Sequence, residues 1–531
     1  MTRALLIVCL ALFLSACGSA GSEDNFIFIT LDTQRADFIS AYEPENSSTP
    51  NIDSLAKKGI LFENCYSLIP ITLPSHASMF YSQPPHLIDN YNNGQVIREK
   101  RKRPSFITFF KRRNFTTAAF VSLGVMAEKF GLGEGFDLYN ADFPVDRWYI
   151  PAEEVNARIF PWLEENKNSQ FFLWAHFSDP HDPYAPPYLP NDFKVYLNDE
   201  LIYDTSLRKY EFHTLDLQLK AGNNRIRLDI ENRFVPNIDH YRAKMDTLEF
   251  TPDQKPGDIE IDLSRGWWIR RSNNVFHFKD RSLIDIVNHK GPRTVKFRFR
   301  GGLNLPEEGV RTLYREEVEY MDSEIGKLLE KLETLGIAGK TKILIIGDHG
   351  EGLGEFKQDN GDTHYGHIHF LNEPYMRVPL IIYDPKNIQP ARREKIYTTP
   401  LDVAPTILKM MGIKGYQRSF MGRDLLQTIR DPEISIQQET HKPEAFQDKF
   451  AILRPPWHMI FTPESRTVEL FNIVSDPEEL ENIYNKETLP PELKSLQLTL
   501  EEFARNVLKN KGEVKIDKKT EEMLRSLGYI K

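Results

Sequence analysis

Two unbroken apolar runs in distant parts of the chain, FIFITL and KILIIG, each end on metal-binding side chains. In full they read FIFITLDTQRAD (Phe26 to Asp37) and KILIIGDHGEGLGE (Lys342 to Glu355). Runs without polar alternation suit strands covered on both faces, which means a sheet sandwiched between helices. Open α/β sheets place their sites at the carboxyl ends of such strands, where Asp32 and the Asp348–His349 pair should emerge. ITLPSHAS (Ile71 to Ser78) and HFSDPHDPY (His176 to Tyr184) add a hydroxyl group and more imidazoles and carboxylates. Hard and borderline ligands beside hydroxyl groups point to metal-assisted ester hydrolysis or transfer.

With 531 residues, 40% of them hydrophobic, the chain is too long for one simple core. From residue 26 to 187, strand-like runs alternate with helical stretches, as a mostly parallel sheet requires. From 188 to 306 the pattern changes to period two: Val195/Leu197, Leu215/Leu217/Leu219, Ile226/Leu228/Ile230, Ile259/Ile261/Leu263 and Val295/Phe297/Phe299. Short alternating strands separated by turn residues predict an inserted antiparallel β-sandwich. The core resumes over 307–437 with a long amphipathic helix closing on Gly336, followed by KILIIGD and RVPLIIYDP. A smaller α+β subdomain spans 438–488 and a charged helical tail 489–531.

A net charge of −9 argues against nucleic-acid binding, because surfaces that track phosphates are basic. REKRKR (Arg98 to Arg103) reads as a solvated turn. Residues 1–17 read as a targeting segment: Arg3, the apolar stretch Ala4 to Phe13, then LSAC ending at Cys17. Residues 18–25 form a polar tether. No other stretch approaches the roughly 20 apolar residues of a membrane span. Two of the three cysteines lie in the leader, which leaves Cys65 as a buried, unbridged thiol.

On its own Asp32 reads first as a helix cap, but its company makes it a ligand. Asp348 and His349 offer carboxylate and imidazole side by side, with Gly350, Gly352 and Gly354 allowing a tight turn. The imidazole favours Zn²⁺ or Mn²⁺, with Ca²⁺ or Mg²⁺ as alternatives. In TLPSHAS, Thr72 stands as the cap of a helix whose body starts near Pro74; beside a metal it becomes a nucleophile, with helix amides available to an anion. His76, His176, Asp179, His181, His364, His367 and His369 supply further candidates for substrate or second-metal contacts.

At these residues the chain resembles the sulfatase family of the alkaline phosphatase superfamily. The likeness is carried by LDTQRAD, STPNIDSLAKKGILFENCYS, TLPSHASMF, AHFSDPHDPYAPP, YREEVEYMDSEIGKLL, IIGDHGEGLGE, RVPLIIYDP, LDVAPTILKMMG and ELFNIVSDPEELEN. It covers about 25–187 and 311–485. The resemblance implies an α/β alkaline-phosphatase-like sandwich with a mostly parallel central sheet, the smaller C-terminal subdomain and one or two divalent metals. Asp32, Asp348 and His349, with Thr72 beside them, take the metal positions, and Thr72 also takes that of the nucleophile. His181 takes the place of a histidine contacting the transferred group, and His367 is the next contact, ahead of His369. A second metal would draw on His176, Asp179, His181 and His367. LSAC similarly resembles a lipobox, which makes Cys17 the lipidated residue and places the protein in the cell envelope, facing the periplasm or cell surface.

Three departures matter. Formylglycine formation needs Cys or Ser in Cys/Ser-x-Pro-x-Arg, and Thr72 and His76 stand there instead. Thr33 replaces a second aspartate, and His349 stands where calcium-dependent members often carry asparagine. The expectation is a hydrolase cleaving sulfate or phosphate esters, on a small molecule or glycan, through a covalent Thr72 intermediate. Two alternatives remain open: a phosphoethanolamine-type transferase acting on a glycan, and a decayed glycan-binding lipoprotein using Trp267, Trp268, Tyr203, Tyr210 and Tyr241 of the insertion.

Overall fold

A computed structural model describes residues 24–526 apart from 98–102, 145–147, 183, 185–190, 206–210, 233–241, 252–257, 266–267, 271–274, 279–280, 305–306, 359–360, 388–391, 428–433, 442–446 and 513–515. The leader with Cys17, most of the tether, and Tyr210, Tyr241 and Trp267 lie outside the described residues.

The run FIFITL is buried throughout because it lies in the middle of a covered sheet. The strand Asn25–Leu31 pairs in parallel with Thr341–Gly347 on one side and Phe171–Phe177 on the other. Edge to edge, the eight-stranded sheet runs Arg392–Thr398, Ile60–Tyr66, Arg377–Tyr383, Thr341–Gly347, Asn25–Leu31, Phe171–Phe177, Thr116–Phe120, Leu138–Asn140. Only Arg377–Tyr383 runs antiparallel to its neighbours. Side chains alternate between two cores: Phe26, Phe28, Phe172, Trp174, Leu344 and Ile346 enter one, Ile27, Ile29, Leu31, Leu173, Ile343 and Ile345 the other. A charge within either run would therefore be desolvated whichever way it pointed.

Helices cover both faces. Thr72–Tyr81 and Val403–Met410 pack into the first core, Ala152–Asn166 and Glu307–Thr334 into the second. In Glu307–Thr334 the buried positions Val310, Leu313, Tyr314, Val318, Met321, Ile325, Leu328 and Leu332 recur every three or four residues, which makes one continuous stripe. Cys65 is fully buried, and burial pushes its thiol up to about 12.

Two five-stranded antiparallel sheets, built from strands between residues 191 and 304, enclose a separate core that includes Phe193, Val195, Leu217, Leu228, Ile286 and Phe297. Tyr203, considered above as a sugar platform, packs against that core with its hydroxyl on His213 Nδ1 at 3.1 Å.

A four-stranded antiparallel sheet, Ile436–Thr440 to Thr467–Asn472, ends the core. The helix Pro491–Asn510, assigned to the tail by its charge, packs Leu493, Leu496, Leu500, Phe503 and Val507 onto Phe450, Ile452 and Met459 of this sheet. Polarity along a sequence hid its one apolar stripe. A buried polar chain joins the sheet to the core: His86 N and Nδ1 meet Glu439 Oε1 at 3.0 Å, Glu439 Oε2 meets His441 Nε2 at 2.9 Å, and Asp448 lies between His441 Nδ1 (3.3 Å) and Lys511 (2.7 Å).

Burial alone would raise the Glu439 carboxyl, but the bonds from His441 and His86 hold it down at about 2. Burial alone would lower His441, yet its two carboxylate partners hold it above its ordinary value of 6.5. Glu439 therefore stabilises the fold above its unfolded value of 4.5, and this share is lost as pH falls towards 2. His441 contributes fully below 6.5 and loses its share as pH rises through its raised folded value. His441→Leu removes the cation that Glu439 and Asp448 share, leaving them only His86 and Lys511, and should cost up to about 3–5 kcal/mol. Urea unfolding of both forms between those two limits and at about pH 9 checks this, with the smaller difference expected at the higher pH.

Candidate active site

Asp32 and Asp348 emerge side by side because their strands are in-register neighbours, Leu31 opposite Gly347. Backbone bonds extend the pairing one step further: Asp348 N donates to Leu31 O (3.2 Å) and Asp32 N to Phe177 O (2.9 Å). The chain then turns at Thr33, whose φ of +53° is strained for a β-branched residue. That turn aims Thr33 N–H at Asp348 Oδ1 (3.0 Å), and His349 N–H meets the same oxygen at 2.7 Å. Tyr314 clamps the turn by donating to Thr33 O (2.7 Å) and accepting from Arg35 N (2.9 Å).

The glycines after His349 serve mainly close approach. A Cβ at Gly350 would meet Pro374 O at 2.0 Å, and one at Gly352 the Tyr375 hydroxyl at 2.3 Å. Of the three only Gly354 has a positive φ, +102°. Gly350→Ala must displace the Asp348–His349 turn from the Pro374 backbone. A stability loss of about 1–3 kcal/mol is expected, together with weaker divalent-ion binding, read by thermal unfolding and calorimetry.

Asp32, Asp348 and His349 each place one ligand atom within 4.8 Å of the other two, and all three are fully buried. His349 Nδ1 donates to Gly350 O (3.0 Å), which leaves the Nε2 lone pair facing Asp348 Oδ2 at 3.4 Å. Among the described residues, Asp32 Oδ1 and Asp348 Oδ2 have no hydrogen-bond partner. Burial and the neighbouring Asp32 push Asp348 well above the carboxylate range. Burial also tends to raise Asp32, but the His176 hydrogen bond and the nearby His181 and His349 hold it below its usual value. Burial lowers His349 to about 3, so its ring stays neutral. Two crowded carboxylates and a neutral imidazole lone pair, all desolvated, form a donor set that fits a divalent cation.

Thr72 lies on the rim of this group, its Oγ1 3.4 Å from His349 Nε2. It is the first helical residue, with Ile71 as the cap, so the capping role expected of Thr72 is corrected. The amides expected to serve an anion are largely used: Leu73 N–H donates to Asn93 Oδ1 (2.9 Å), Pro74 has none, and Ser75 N–H goes to Ile71 O (3.0 Å). Ser75 and Ser67 hydroxyls both donate to Asp348 O (2.7 and 2.6 Å), which fixes the helix start against the ligand turn.

The remaining candidates divide. His76 is fully buried, with Nδ1 on Thr72 O (2.8 Å) and 3.6 Å from Asp348 Oδ2. Its Nε2 has no hydrogen-bond partner among the described residues, and burial lowers its ring to about 3. His367 stands over His349, ring centroids 4.6 Å apart, and His181 lies 5.0 Å from His367. His181 Nδ1 is on Asp182 O (2.6 Å), so its Nε2 carries the lone pair. His176 faces Asp32 Oδ2 (3.3 Å) and Ser122. Asp179 is drawn elsewhere: Oδ1 accepts Ala152 N–H (3.0 Å) at the start of Ala152–Asn166, a helix-capping role that does not bring it to the ligand group. His369 stacks on His364 (5.5 Å) and meets Phe370 edge-on (4.5 Å). The positive φ of Ile368, +83°, turns the chain between His367 and His369, which no sequence pattern foretold.

Residues not singled out from sequence complete the surroundings. Glu351 is fully buried; its Oε2 is 3.0 Å from His367 Nδ1, and Oε1 accepts the Tyr184 hydroxyl (2.9 Å). Burial pushes Glu351 well above the carboxylate range and His367 down to about 4. Both residues lie inside quoted motifs, but nothing in the sequence marked them as partners. Ser122 carried no signal at all.

The fold and this constellation define a hydrolase of the alkaline-phosphatase-like class. The sulfatase family model matches residues 24–413, and a second, described as N-sulphoglucosamine sulphohydrolase, C-terminal, matches 361–506. The chain belongs to the sulfatase family and is a sulfuric ester hydrolase of that group. It is similar to an N-acetylglucosamine-6-O-sulfatase of Bacteroides thetaiotaomicron, 22% identical over 96% of this chain and 92% of the relative. It is also similar to an arylsulfatase of Clostridium perfringens, 22% identical over 87% and 90%. A solved protein in complex with its substrate D-glucosamine-2-N,6-O-disulfate shares the fold at a TM-score of 0.58 and 17% identity, over 92% of this chain and all of that one. A phosphonate monoester hydrolase from Silicibacter pomeroyi shares it at 0.57 and 15%, over 92% and 96%.

Proposed function

We propose that the protein hydrolyses sulfate esters of glycans with Thr72 as the covalent nucleophile and one divalent ion held by Asp32, Asp348 and His349. The carrying observation is the Thr72 hydroxyl, 3.4 Å from His349 Nε2; the resemblance of TLPSHAS to the family's motif implies that it stands where the formylglycine precursor lies. A bound cation would acidify that hydroxyl and neutralise charge developing on the transferred group. In the first step the Thr72 Oγ1–sulfur bond forms as the bond to the departing alcohol oxygen breaks. The hydroxyl proton is lost to solvent, and the departing alkoxide takes one up. In the second, a water proton passes to His181 Nε2, the water oxygen bonds to sulfur, and Thr72 Oγ1 leaves and is reprotonated. His367, held by Glu351, orients the group's outer oxygens.

Sulfate is favoured by the names of the relatives, and a glycan by N-acetylglucosamine among them. The likeness to a phosphonate monoester hydrolase supports a second reading, transfer of a phosphoryl or phosphonyl group on the same residues. The intact ligand group disfavours decay to a binding protein. Lipidation at Cys17 would hold the enzyme at the cell envelope. Hydrolysis of matched aryl sulfate, phosphate monoester and phosphate diester substrates, with metal quantified on the same sample, tests the proposal. A dominant sulfate rate with one ion per chain supports it; a dominant phosphate ester rate with two ions overturns it.

A further inference from the structure

Three adjacent parallel strands end beside one another, and each places one polar side chain in a line across the sheet edge. Asp32 follows Asn25–Leu31, His176 lies on Phe171–Phe177 opposite Thr30, and Ser122 follows Thr116–Phe120, whose Phe120 pairs with Ala175. His176 and Ser122 are both fully buried.

Proton positions along this line follow from one donor that cannot change. The backbone N–H of Ser122 points at His176 Nδ1 (3.2 Å). An amide nitrogen donates and never accepts, so Nδ1 must present its lone pair. With that nitrogen bare, the Ser122 hydroxyl 2.8 Å away donates its proton there as well, and Ser178 Oγ lies 2.8 Å from the Ser122 oxygen. A neutral imidazole with a bare Nδ1 carries its proton on Nε2, and Nε2 lies 3.3 Å from Asp32 Oδ2. His176 in this tautomer has no lone pair to give a metal or to accept a substrate proton. It donates to Asp32.

We infer that His176 is a positioning residue for the cation site: its Nε2–H occupies Asp32 Oδ2 and thereby directs Oδ1 at the ion. The arrangement mirrors Asp348, whose Oδ1 is occupied by two backbone amides while Oδ2 is left to the site. Each carboxylate thus presents one oxygen, chosen by fixed donors, and His349 Nε2 completes the set. Partners behind metal ligands commonly change affinity 10–100-fold when removed. The inference rests on the metal reading above, and it assigns His176 away from the second-metal role considered from sequence.

The test uses the full chain carrying Thr72→Ala, so that binding is read without turnover, titrated calorimetrically with Mn²⁺ and with Ca²⁺. His176→Leu should weaken the ion about 10–100-fold with the number bound unchanged. His176→Gln, whose amide N–H can reach the place of Nε2–H, should recover most of that loss. Ser122→Ala, which keeps the backbone donor, should stay within a few-fold of the parent. Should Gln fail as badly as Leu, or the bound ions fall from two to one, His176 is a ligand and the inference is wrong. It is equally wrong if Leu binds as tightly as the parent. A parent that binds no ion overturns the metal reading itself, and this inference with it. Nitrogen-15 spectra of histidine-labelled Thr72→Ala protein need no change at His176: the Nε2–H tautomer with and without ion is expected, and an Nδ1–H tautomer refutes it.

Discussion

Thr72→Ala abolishes turnover, by about 10⁴-fold or more, while the divalent ion still binds. The expected size follows from the loss of the attacking oxygen. The helix amides next to Thr72 are occupied by Asn93 and Ile71, so little anion stabilisation remains at the helix start to support a residual rate. Ion binding survives because the buried donor set is Asp32, Asp348 and His349. Steady-state rates on an aryl sulfate, measured together with ion affinity, check both halves. Loss of rate and ion together would make Thr72 a ligand first.

Asp348→Asn should remove ion binding by at least about 100-fold, and turnover with it, yet leave the ion-free protein more stable. The amide oxygen can still receive Thr33 N–H and His349 N–H, which keeps the turn, while the charge facing the ion disappears. Burial and Asp32 raise Asp348 above its unfolded value of 3.8, so the ion-free native state holds a proton the unfolded chain releases. Between those two values stability falls as pH rises, and at neutral pH the charge is a net cost. Thermal unfolding without ion should show the variant ahead of the parent at neutral pH, with the gap closing below about pH 4. With ion added the order should reverse. An unchanged ion affinity would remove Asp348 from the site.

Asp32, Asp348 and His349 were legible because each ends an apolar run long enough to be a doubly covered strand, and such strands must release their polar residues at the edge. Thr72 was read from the residues as a hydroxyl at a helix start and His181 as one of several candidate imidazoles; the family resemblance gave each its specific role. The division between His367 and His369 was not legible, since it turns on the conformation of Ile368. Asp179 looked like a ligand because it sits among histidines, but spacing cannot show that the start of a distant helix needs its oxygen more. Ser122 acts through its backbone amide, which every residue but proline carries, so no composition or pattern could mark it. The helix Pro491–Asn510 was separated from its sheet for a related reason: a charged surface dominates the sequence, while six positions decide the packing.

The most direct test of Thr72 as the covalent nucleophile on sulfate esters is rapid quenching of the enzyme during turnover of an activated aryl sulfate, followed by peptide mass mapping. The expected result is one sulfuryl group on the peptide containing Thr72, fragmented to Thr72 itself and absent from Thr72→Ala. A sulfuryl group on any other residue, or turnover at full rate with none on the protein, contradicts it.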